Sequence, residues 1–188
     1  MELRDWLLSD ISSLANRLEH GVLDNIPPER RHELVDGGGI APTYVLWHAA
    51  RHQDVAVNRV LRGVGEVVEH WTDRLGIHHD LWRGLAEGQD TLLVDQLDPD
   101  AVGAYALTVI SATRDWLETA DLAVLDTVPD SAAALTELGV PTDRFEWLYE
   151  MWDGRAAPFF LQWEAIGHGY NHLGELMSIR NRMGLSPF

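Results

Sequence analysis

The chain has 188 residues and a formal charge of −16, with 30 acidic residues against 14 basic ones, all of them Arg. That balance repels phosphate backbones, so nucleic acid is excluded as the expected partner. The absence of Cys excludes disulfides, a thiolate nucleophile and Cys metal ligands, and the absence of Lys excludes a lysine Schiff base and a Walker-type phosphate loop.

With 46% hydrophobic residues, the composition suits one domain over 1–188 with a core of its own. No apolar run reaches membrane-spanning length. Met1-Glu-Leu-Arg-Asp-Trp6 lacks the basic start and apolar run of a signal peptide. The expectation is a soluble, cytoplasmic protein.

Leu3, Trp6, Leu7, Ile11, Leu14 and Leu18 recur at helical spacing and predict a first helix over 2–19, ending at His20-Gly21. Residues 21–41, with Pro27-Pro28 and Gly37-Gly-Gly39, read as connection. A second helix is predicted from about Thr43 to Leu61, stopped by Gly63 and Gly65. Leu46, Ala50, Val57, Val60 and Leu61 form its apolar face. Tyr44, His48, Arg51, His52, Val55 and Arg59 share the other side. Residues 64–97 read as a long connection with short helices over 64–74 and 79–86. Connections this long often cover a site. Asp98 as N-cap and Pro99 at the first helical position start a third helix that runs to about Ala120. Residues 121–143 connect again, with a helical turn around 131–138, and Arg144 to Trp152 forms a short helix. The last helix begins between Asp153 and Pro158 and ends at Gly184. No strand run is evident. The reading is an all-α protein, most simply a four-helix bundle with long crossover connections and short extra helices.

The chemistry concentrates on the last helix. His168 and His172 are four residues apart, which puts both imidazoles on one helix face. Such a pair is half of a metal site. Position 169 is Gly, so this is not the His-Glu-x-x-His pattern of zinc proteases. A third ligand must come from elsewhere, and helix two offers His48, with His52 four residues on; spacing alone leaves both open. Glu175 lies on the His168 face and is expected to accept an imidazole N–H. Arg51 and Arg59 share the His48 face and are candidates to hold a carboxylate, against ordinary helix-surface ion pairing. His20, His32, His70, His78 and His79 are expected at the surface or in loops.

The last helix also carries Phe159, Trp163, Ile166, Tyr170, Leu173 and Met177, an apolar stripe nearly opposite the histidines. A helix with two such faces needs cover on both, and the expectation is a homodimer across the stripe.

Two segments together resemble the DinB-like superfamily: Val45-Leu-Trp-His48-Ala-Ala-Arg51-His-Gln-Asp54, and His168-Gly-Tyr-Asn-His172-Leu-Gly-Glu175 followed by Ile179-Arg180 and Gly184. The resemblance follows helix order over nearly the whole chain. It implies a metal-binding four-helix bundle in which His48, His168 and His172 hold one divalent ion. It also implies kinship with mycothiol-dependent maleylpyruvate isomerases and other thiol-dependent S-transferases. Where many relatives carry His-Arg-Gly-Gln, this chain has His172-Leu-Gly-Glu175.

Three neutral imidazoles leave an open coordination position, as in catalytic zinc sites, although imidazole also suits nickel, iron and copper. A bound divalent ion stabilises a thiolate or a hydroxide at neutral pH. The chain has no thiol, so the expected partners are a small-molecule thiol such as mycothiol and an electrophilic substrate. Zinc or nickel is the expected metal. Two other readings stand beside this one: a non-catalytic metal-binding stress protein or small-molecule-binding dimer, and a metal-dependent hydrolase.

Overall fold

The structure is a computed structural model that describes residues 2–86 and 88–188. Helix α1 spans Leu3–Leu18 and buries Leu7, Ile11, Leu14 and Leu18 along one face. Glu2 and Asp5 close its start as a reciprocal capping box. The chain does not leave the helix at His20-Gly21; a π-type turn carries it through Glu19–Leu23. A Cβ on Gly21 would stand 2.7 Å from Met177 Cε, so glycine lets this extension lie close on the last helix.

Helix α2, Pro42–Gln53, starts on Pro42 and runs on as a π-type stretch, Asp54–Leu61. Helix α3 is Pro99–Thr119. Its start follows from local chemistry: Asp98 accepts from the backbone N–H of Asp100 at 3.0 Å and of Ala101 at 2.8 Å, and Pro99 has no N–H to satisfy. Asp98→Ala is expected to cost about 1 kcal/mol. In a thermal melt followed by circular dichroism, the midpoint should fall by about 2–4 °C.

Helices α4, Ser131–Glu137, and α5, Thr142–Trp152, occupy the second connection. The last helix opens with the turn Ala157–Phe159, passes through a π-type stretch, Phe160–Gly167, and continues as α6, His168–Arg182. Gly184, at φ 75°, ends it in the left-handed region.

The four longest helices pack pairwise. α1 and α2 each lie against α3 and against α6. The core between them includes Leu14, Leu46, Val102, Val109, Leu173 and Leu176. No strand occurs among the described residues, and no helix there is long and apolar enough to cross a membrane.

Two further expectations need correction. Residues 79–86 are not a helix. After the short turns Val67–His70 and Thr72–Leu75, the chain crosses α2 as a non-helical segment. Asp80 O and Trp82 O close turns with the backbone N–H groups of Arg83 and Leu85, while the carbonyls of Leu81, Arg83, Gly84, Leu85 and Ala86 meet α2 side chains. The second correction concerns the apolar stripe. A constant 100° per residue placed Phe159 and Trp163 with Ile166 and Leu173. The π-type stretch bonds i to i+5 and resets the phase ahead of His168. The buried positions there are Phe160, Leu161, Glu164, Ala165 and Ile166, while Trp163 is 40% exposed. Helix α1 covers the stripe within the chain. Ile166 and Leu173 are buried, Tyr170 Oη donates to Asp10 O at 3.3 Å, and a Cβ on Gly169 would stand 2.7 Å from Leu14 Cδ2. A second subunit is not needed to bury those residues.

Candidate metal centre

The pairing of α2 with the last helix brings four imidazoles together. Ring centroids lie 4.6 Å apart for His48 and His52, 5.0 Å for His48 and His168, and 4.8 Å for His48 and His172. They lie 4.5 Å apart for His52 and His168, and 4.4 Å for His168 and His172. One ligand atom from each of His48, His52 and His168 falls within 4.8 Å of the other two. His172 joins from the open side, with Nε2 3.1 Å from Nε2 of His168. His20, His32, His70, His78 and His79 are all exposed and take no part.

Three of the four rings are oriented by oxygens. His48 Nδ1 donates to Gly84 O at 2.5 Å, which leaves Nε2 with a lone pair. His172 Nδ1 lies 2.9 Å from Glu175 Oε2. His52 has Nδ1 3.0 Å from Glu164 Oε2 and Nε2 3.0 Å from Leu85 O. A neutral imidazole has one N–H, so it donates to only one of these two acceptors at a time. Glu164 is itself buried, and its other oxygen accepts from Trp152 Nε1 at 2.7 Å. His168 differs: its Nδ1 is buried with no hydrogen-bond partner among the described residues.

This donor set fits a divalent cation. Burial, then the neighbouring His52 and His172, push His48 down to about 2, so it is neutral at ordinary pH. His168 is pushed down for the same reasons, burial first, then His52, His172 and His48. Neutral imidazole is the ligating form. Two nitrogens on one tetrahedral zinc at ordinary bond lengths stand about 3.3 Å apart, close to the His168–His172 separation. Carboxylates or carbonyls on the far ring nitrogen are the usual supports of ligating histidines.

An open cleft of about 370 Å³ reaches the cluster. Its lining includes His48, His168, His172, Glu175, Asn171, Tyr44, Val45, Ile40 and Trp163. His52 is not on it. Nor is any Arg among the described lining residues.

The arginines do other work. Arg51 is fully buried, which overturns both the carboxylate-clamp and the surface-pair expectations for it. Its guanidinium donates to Asp54 at 3.2 Å, to Tyr105 Oη at 3.1 Å, to Leu81 O at 3.0 Å, and to Glu66. Arg59 does not line the cleft, and its Nε is buried without a partner among the described residues.

Comparison with known proteins adds no relative: no protein-family model matches the chain, and no curated protein matches it. The site's reading rests on its own geometry.

Proposed function

We propose that the protein is a divalent-metal-binding member of the DinB-like superfamily, a four-helix bundle that works as a thiol-cofactor-dependent S-transferase or isomerase. The observation that carries this reading is the set His48, His168 and His172 on one open cleft, with His168 and His172 nitrogens 3.1 Å apart. His48 and His172 present Nε2 while Nδ1 is held by Gly84 O and Glu175. His52 stands behind them, with both nitrogens on oxygens.

A divalent ion held by the three imidazoles would supply Lewis acidity that favours the thiolate of an added thiol at neutral pH. The chain's own groups do the rest. Tyr44, Val45, Ile40 and Trp163 give the cleft apolar walls, and Asn171 and Glu175 give it polar contacts. With no Arg in the described lining and a chain charge of −16, the favoured electrophile is a small uncharged molecule, not a carboxylate.

A second reading replaces His172 with His52 as third ligand, and the 4.8 Å grouping of His48, His52 and His168 favours it. Metal analysis of two variants separates the two. His172→Ala is expected to lose stoichiometric zinc or nickel while keeping its helical circular dichroism, and His52→Ala to retain the metal. The reverse pattern would assign the third ligand to His52. Full occupancy in both variants would remove the metal reading. With metal bound, turnover of an uncharged electrophile is expected only when mycothiol or a similar thiol is added. Turnover without thiol would favour a hydrolase.

A further inference from the structure

Helix α2 presents a stripe of hydrogen-bond donors at helical spacing: Tyr44, Trp47, His48, Arg51 and His52. Each meets a carbonyl of the non-helical segment 81–86. Arg51 Nε donates to Leu81 O at 3.0 Å, and Trp47 Nε1 to Arg83 O at 2.8 Å. His48 Nδ1 donates to Gly84 O at 2.5 Å, His52 Nε2 meets Leu85 O at 3.0 Å, and Tyr44 Oη donates to Ala86 O at 2.8 Å. The segment thus runs antiparallel to α2 as a strap, and the helix supplies the donors that its carbonyls lack.

Gly84 is the tightest point. Its φ is +101°, in the region that favours glycine. A Cβ there would lie 2.1 Å from Trp47 Nε1 and 2.3 Å from Trp47 Cδ1. No side chain fits while the strap is closed on Trp47. The same residue's carbonyl decides which nitrogen of His48 carries the proton. With the proton on Nδ1, Nε2 is the lone pair available to the cleft.

We infer that Gly84 is a positioning residue for the histidine site, and that closure of the 81–86 strap and binding of a divalent cation at His48 are coupled. The inference rests on the reading of His48 as a ligand. A closed strap fixes the tautomer and aim of His48, so the cation binds the closed form more tightly. By reciprocity, the bound cation holds the strap closed.

Hydrogen exchange read by mass spectrometry tests this on the unmodified protein, with and without one equivalent of zinc. Exchange in peptides covering 81–89 is expected to slow several-fold with zinc, while peptides of α4 stay unchanged. Gly84→Ala is expected to weaken zinc binding by about 10–100-fold in chelator competition, the usual range for a lost support behind a metal ligand. Gly139→Ala is the control. Gly139 has the same sign of φ, at 71°, with nothing within 4 Å of an added Cβ, and that variant should keep the affinity. Stoichiometric zinc with unchanged exchange in the strap overturns the coupling and leaves the metal reading in place. So does Gly84→Ala binding zinc as tightly as the parent. An unmodified protein that takes up no zinc overturns both. If Gly84→Ala does not fold, the exchange experiment still decides.

Discussion

Asp54→Ala is expected to cost about 3–5 kcal/mol, the range for removing one partner of a buried ion pair. Asp54 is fully buried. It accepts from Tyr105 Oη at 2.7 Å, Arg51 at 3.2 Å and Asn58 Nδ2 at 2.7 Å. The backbone N–H groups of Val67 and Val68 reach it at 3.0 Å each. Burial alone would push the Arg51 guanidinium down, but Tyr105, Glu66 and Asp54 outweigh it and hold Arg51 above its ordinary value. Without Asp54 the cation keeps only the Glu66 carboxylate, and two backbone donors lose their acceptor. The loss should appear in urea unfolding as a lower midpoint at unchanged slope. Asp54→Asn keeps the size and one acceptor oxygen, and should lose less. A cost below about 1 kcal/mol for the alanine variant would mean that water enters and satisfies Arg51, contrary to its burial.

The same network reaches the site. Val67 and Val68 begin the connection whose later part is the strap on α2. Arg51 itself holds Leu81 O, one end of that strap. Weakening Asp54 should therefore loosen the chain that carries Gly84 and Leu85 to the histidines, as well as lower global stability.

What could be seen in the sequence was local. Asp98 and Pro99 announce α3 because a cap and its helix are neighbours in the chain. His168 and His172 announce a shared face because one helical turn joins them. The long helices were legible for the same reason, whereas the expected helix over 79–86 was not formed. Partners set by distant pairing were not. Arg51 meets Glu66 across 15 positions and Tyr105 across 54, and no periodicity in α2 distinguishes a buried Arg from a surface one. Glu164 escaped notice for another reason. Its place depends on the phase of the last helix, and the π-type stretch shifts that phase where composition gives no warning. The acid then points inward to His52 and Trp152 while Trp163 turns outward.

Acid is expected to destabilise the metal-free protein well before its carboxylates titrate. His48 and His168 are both held below the ordinary histidine value, by burial first and then by neighbouring imidazoles. In the unfolded chain each would titrate near 6.5. Between that value and the folded one, the unfolded state binds more protons, so stability rises with pH there and falls as pH drops. The contribution is complete above about pH 6.5 and is lost progressively as pH falls toward about 2 for His48. Each such histidine contributes a slope of up to about 1.4 kcal/mol per pH unit, or about 2.7 for the two together. His20 works in the opposite sense. Its hydrogen bond to Asp24 raises it, so whatever it adds is present at low pH and lost as pH rises. Urea midpoints between pH 7.5 and 5.0 read the balance, above the range where most carboxylates titrate. The unmodified protein should lose stability across that interval, and His48→Gln together with His168→Gln should flatten the loss. An equal slope in the double variant would show that neither histidine is held neutral by the fold. Metal affinity of the folded protein should not fall through His48 or His168 over that interval, because both rings are already in the unprotonated, ligating form.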